Sequence, residues 1–121
     1  MKKTVLIIEN NYMFRRFLES ILPQNYPAFE FIFAESADSA KQKIKELPEL
    51  HCLVTNYFLG SEEPNGIQLA REIKNKFPNL KIILISPSID DGLRSKASQY
   101  GIFHCVSKFD GLYEWIKLME I

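Results

Sequence analysis

The residues that could do chemistry in this chain each close an apolar run. "VLII" ends in Glu9 and Asn10, "HCLVT" ends in Asn56, "IILI" ends in Ser86, and "IFHCV" gives way to Ser107 and Lys108. One carboxylate and one ammonium therefore frame two amides and two hydroxyls. The formal charge of Glu9 plus Lys108 is about zero. Such a set has limited reach. A hard cation such as Mg²⁺ dehydrates reluctantly and wants anionic oxygen, so a neutral amide can join its shell but cannot anchor it. A carboxylate nucleophile must be an ionised acid, which neither asparagine can be.

The elements that must position these residues can be read from apolar periodicity. A strand is predicted over 2–8, a continuous apolar run of the kind that is buried on both faces. Asn10 and Asn11 read as caps of a first helix, with Phe14, Phe17, Leu18, Ile21 and Leu22 on one face and Pro23 as its stop. A second strand is expected over 29–34. Ser36 then caps a helix whose Ala37, Ala40, Ile44 and Leu47 point inward, stopped by Pro48. The third strand covers 51–55. A polar loop leads to Gly66 and a third helix, with Ile67, Ala70, Ile73 and Phe77 inward and a turn at Pro78 and Asn79. The fourth strand covers 81–86. A fourth helix over roughly 90–100 closes at Gly101, an expected left-handed cap. The fifth strand covers 102–106, and the last helix carries Leu112, Trp115, Ile116 and Met119 on one face.

Strands and helices thus alternate from end to end with short connections and no repeat or linker. That pattern implies one α/β domain over 1–121, a parallel sheet with helices on both faces and right-handed crossovers. Five strands suit the flavodoxin-like order 2-1-3-4-5, whose ligand sites lie at the carboxyl ends of the first and third strands. Glu9, Asn10 and Asn56 fall at those ends.

Composition excludes several classes. With 121 residues, 46% hydrophobic and 25% charged, the chain is an ordinary globular domain. Fifteen basic and fifteen acidic residues cancel, so nothing in the charge favours nucleic acid or an anionic membrane. The apolar run after the N-terminal "MKK" stops at Glu9, too short for a signal peptide or a membrane span, and a cytoplasmic protein is expected. Cys52 and Cys105 form no C-x-x-C pair and read as buried, reduced thiols. His104, alone in a strand, reads as packing or edge-exposed. No glycine-rich phosphate loop follows the first strand and no Ser-His-Asp arrangement is present, which leaves no argument for a nucleotide-binding enzyme.

The segments "VLIIENN", "LVTNYFLG", "NGIQLAREIK", "IILIS" and "YGIFHCVSKFD" resemble, in order and spacing, the receiver domain of two-component response regulators over essentially the whole chain. The resemblance places Glu9 and Asn10 at the family's acidic pair, Asn56 at its phosphoacceptor aspartate, Ser86 at its switch hydroxyl and Lys108 at its lysine. In the family three carboxylates hold Mg²⁺ and the aspartate attacks a phosphoryl donor, while lysine and metal neutralise the charge that develops.

The departures from that pattern matter more than the matches. Three acids and one lysine would carry about −2; here the set carries about zero. Exchanging two acids for amides also relieves the repulsion between clustered carboxylates. The loop from Asn56 to Gly66 is about two residues longer than usual for the family. Glu62 and Glu63 within it read as solvated. Phe109 stands where the family has a proline after the lysine, and a trans 108–109 bond is expected, since cis before a non-proline residue costs about 3 kcal/mol. Cys105 stands where the family has the aromatic partner of the switch hydroxyl.

The resemblance with these departures implies a non-enzymatic, atypical receiver without Mg²⁺ or another cofactor. It would act through a protein partner or a homodimer on the face formed by the fourth helix, fifth strand and fifth helix. Tyr100, Phe103, Cys105, Phe109 and Tyr113 lie there, and Trp115 is expected inward. Neither nucleic acid nor membrane is an expected partner of this domain. Two alternatives stay open: a working phosphoreceiver that uses Mg²⁺ and other acids, and a receiver cut from a longer transcriptional regulator. An engineered Asn56 would also fit the first.

Overall fold

The computed structural model describes residues 2–60, 64–102, 104–108 and 112–121. Five strands and five helices alternate: β1 (Lys3–Ile8), α1 (Tyr12–Asn25), β2 (Phe29–Ala34), α2 (Ala37–Glu46), β3 (Cys52–Asn56), α3 (Gly66–Lys76), β4 (Lys81–Ser86), α4 (Asp91–Ser98), β5 (His104–Ser107) and α5 (Leu112–Glu120). The strands form one parallel sheet in the order β2-β1-β3-β4-β5. This is the flavodoxin-like arrangement expected from the alternation.

Side chains alternate across each buried strand and divide the core in two. Leu6, Ile8, Leu53 and Leu84 pack under α2, α3 and α4 with Ala40, Ile67, Ala70 and Ile73. Val5, Ile7, Val54, Ile83, Ile85 and Val106 pack under α1 and α5 with Leu18, Leu22, Trp115, Ile116 and Met119. Both faces of the inner strands are covered, which is why those strands read as unbroken apolar runs. Trp115 is fully buried. Cys52 and Cys105 are free and buried, and burial pushes the Cys52 thiol up to about 12.

Caps follow the local chemistry. Ser36 accepts the Ser39 N–H at 3.1 Å, and α2 stops at Glu46, one residue before the Leu47–Pro48 step. Asn65 and Gln68 form a reciprocal capping box on α3. Asp90 caps α4, and Gly101, at φ +79°, lets the chain turn back while the Ile102 N–H reaches the Ala97 carbonyl.

Several expectations need correction. Pro23 does not stop α1, which winds on to Asn25. The proline is exposed in the last turn, and Asn25 and Tyr26 still reach the carbonyls of Ile21 and Leu22. Phe17 lies 46% exposed rather than on the buried face, which Leu18 and Leu22 fill. Asn11 alone caps α1, accepting the Phe14 N–H at 2.9 Å, and Asn10 turns elsewhere. β3 includes Asn56, so the amide is the last residue of a paired strand.

Candidate functional site

β1 and β3 are neighbours in register, with Ile8 opposite Thr55. The next residue of each chain segment, Glu9 and Asn56, therefore emerges beside the other at the carboxyl edge. Both are buried. The Asn56 Nδ2 donates to Glu9 Oε2 at 2.7 Å and to Asn10 Oδ1 at 2.9 Å. The Asn11 backbone N–H donates to the same Glu9 oxygen at 2.8 Å. Lys108, just after β5, brings its Nζ to 3.1 Å from Oε1 and 3.2 Å from Oε2. Its backbone is held by an N–H bond to the Ser86 carbonyl at 2.9 Å. A lone carboxylate that is only 3% exposed at its side chain would be costly to desolvate; a cation and two N–H donors compensate it.

The structure thus brings together Glu9, Asn10, Asn56 and Lys108. Ser86 stands apart. Among the described residues its hydroxyl makes no hydrogen bond to Glu9, Asn56 or Lys108. It lines a neighbouring cleft of about 320 Å³ with Tyr57, Ser88, Asp90, Leu93 and Lys96. Lys96 reaches the Tyr57 hydroxyl at 3.4 Å and closes one side of that cleft. Glu62, Glu63 and Phe109, and with Phe109 the 108–109 peptide, lie outside the described residues.

Three supporting residues were missed in the sequence. Arg15 donates from Nη1 to the Glu9 carbonyl at 2.9 Å, tying α1 to the end of β1. Phe14 sets its ring 5.0 Å from the Lys108 ammonium. The Asn11 N–H supplies a donor to Glu9 besides its capping role. Spacing of one turn at the start of α1 gives these residues a face but not a target, so no signal marked them.

Gly66 fixes the floor. Its N–H bonds the Tyr57 carbonyl at 2.7 Å, and a Cβ there would overlap the Asn56 carbonyl oxygen and lie 3.0 Å from its carbon. The nearest atoms are all backbone of Asn56 and Tyr57, which leaves no flexible side chain to yield. Gly66→Ala is expected to cost about 3 kcal/mol; a melting temperature within a degree of wild type would show that the contact relaxes.

On the expected partner face, Tyr113 is 78% and Tyr100 39% exposed, and the Arg71 guanidinium lies 5.0 Å from the Tyr100 ring centre. Cys105, expected there, is buried, and burial raises its thiol; it packs behind the face rather than on it. Phe103 lies outside the described residues.

A five-stranded parallel sheet of this order defines a flavodoxin-like domain, with the polar cluster at the switch point between β1 and β3. The family model of the response regulator receiver domain matches residues 5–117, and the chain belongs to that family. Among curated proteins none matches. Solved structures share the fold at low identity. A response regulator from Burkholderia pseudomallei, solved with a phosphorylated aspartic acid and a calcium ion, is 16% identical with a TM-score of 0.83, over 98% of this chain and 66% of that one. A response regulator from Thermotoga maritima is 20% identical with a TM-score of 0.77, over 98% of both chains. RcsB from Salmonella enterica serovar Typhimurium, bound to promoter rprA, is 20% identical with a TM-score of 0.81 over 99% of this chain. The present chain spans 59% of that RcsB chain.

Proposed function

We propose that this domain is an atypical receiver that signals by protein contact and accepts no phosphoryl group. One observation carries the reading: the Asn56 amide donates both to Glu9 and to Asn10. The pocket is complementary to an N–H donor where phosphotransfer would need an ionised oxygen. Both oxygens of its one carboxylate are engaged by an ammonium and N–H groups. The residues present do not fit the Mg²⁺ that the family implies, since a cation there would have to displace Lys108 and, among the described residues, find only amides beside Glu9. Among the described residues, no group of three or more His, Cys, Asp or Glu gathers where a metal could bind.

Binding to a partner or a second copy then replaces chemistry. The α4-β5-α5 face offers the exposed Tyr100 and Tyr113 as anchors. The balanced charge supports a protein rather than a nucleic acid, and no described helix is long and apolar enough to cross a membrane. We read the domain as a non-enzymatic signalling module, with the cytoplasm as its expected location. Millimolar Mg²⁺ at constant ionic strength is expected to leave the melting temperature unchanged. A clear rise would show a working metal site and overturn the reading.

A further inference from the structure

β2 is an edge strand, and its own six residues supply few of the devices that usually protect an edge. Its six residues, "FEFIFA", contain no proline and one charge, Glu30. The other edge, β5, is four residues long. Ala28 and Ala34 turn their carbonyls to β1, accepting from Lys3 at 3.3 Å and Glu9 at 2.9 Å. Backbone groups alternate sides along a strand, so Phe31 and Phe33 direct both N–H and C=O away from the sheet. Among the described residues no strand pairs with that side. Phe29 points the same way, with its N–H taken by the Tyr26 carbonyl at 3.1 Å and its own carbonyl free of the ladder. The three phenylalanines form a ladder with ring centres 6.0 and 6.4 Å apart, and each is only half-buried.

We propose that this edge pairs with the β2 strand of a second copy, antiparallel about a two-fold axis at Phe31. The register follows from the strand itself. With Phe31 opposite Phe31 of the second copy, the two residues exchange reciprocal backbone bonds. The Phe33 N–H then meets the Phe29 carbonyl on either side. On one face Phe29 stacks against Phe33 of the second copy; on the other Glu30 meets Ile32, so the one charge never opposes itself. Pairing centred on Glu30 would set like charges face to face. This fit of hydrogen bonds, rings and charge to its own copy is why the occupant is a second chain. The dimer uses the edge opposite β5 and leaves the α4-β5-α5 face open, so it stands whether or not that face binds a partner.

Sedimentation equilibrium of the full chain from about 10 μM to about 1 mM covers the range of weak association. The mass should climb from 14.1 kDa toward twice that value. Amide exchange followed by NMR should show Phe31 and Phe33 gaining protection in step. Ile32, whose backbone faces β1, should stay protected throughout. Phe31→Lys sets an ammonium against its own copy and should abolish the dimer while the circular dichroism stays native; if that variant does not fold, the exchange data on the wild type decide. A chain that stays monomeric at 1 mM, or a dimer whose Phe31 and Phe33 amides exchange freely, overturns the proposal.

Discussion

Lys108→Met is expected to destabilise the domain by about 3–5 kcal/mol, the usual cost of removing one partner from a buried ion pair. Glu9 is 3% and Lys108 12% exposed at the side chain, with nitrogen and oxygen 3.1 Å apart. Without the ammonium, Glu9 keeps, among the described residues, only the N–H groups of Asn11 and Asn56 for its charge. For a chain of this size the loss corresponds to a fall in melting temperature of roughly 10–20 °C. Because the pair is buried, added salt should screen it little and leave most of the deficit in place. Adding Glu9→Gln to Lys108→Met should restore much of the stability, since the uncompensated charge is then gone. Thermal denaturation of the two single variants and the double completes the cycle. A Lys108→Met protein that melts within roughly 2 or 3 °C of wild type, by the same scale, would place Lys108 in solvent.

The second large effect concerns the amides. Asn56→Asp replaces a donor with a carboxylate where Nδ2 now lies 2.7 Å from Glu9 Oε2. Two unit charges about 4 Å apart repel by about 4 kcal/mol at the effective dielectric of a protein surface, and this separation is shorter. The single variant should therefore be less stable than wild type. It should also fail to take up a phosphoryl group from acetyl phosphate and Mg²⁺, because the metal would still find Asn10 beside Glu9. Adding Asn10→Asp moves the formal charge of the site from about zero to about −2. The double variant should then gain melting temperature with millimolar Mg²⁺, as a ligand that binds only the folded state must produce. A single variant that is phosphorylated would show that Asn56 alone silences the site.

Much of this architecture was legible in the chain. The inner strands are apolar throughout because both faces are covered, and Ser36 and Gly101 mark helix ends by caps that act within a few residues. Pro23 was misread because a proline in an exposed last turn removes one N–H and leaves the remaining turn wound. Asn10 and Asn11 could not be ranked as caps: either side chain can accept the bond, and the choice depends on Asn56 claiming Asn10 from 46 residues away. Glu9 and Lys108, 99 residues apart, pair because β1 and β5 end at the same edge of one parallel sheet. What the residues could not reveal was direction: that the Asn56 amide donates, and that Arg15 and Phe14 brace the pocket from α1. The exposure of Phe17 likewise depends on helix rotation, which periodicity leaves free by a fraction of a turn.

The central claim is that the pocket is neutral and has no nucleophile. Intact-mass measurement of the wild-type protein after incubation with acetyl phosphate and Mg²⁺ tests it most directly. The expected result is an unchanged mass. A gain of one phosphoryl group, lost again on treatment with hydroxylamine as an acyl phosphate would be, would contradict it.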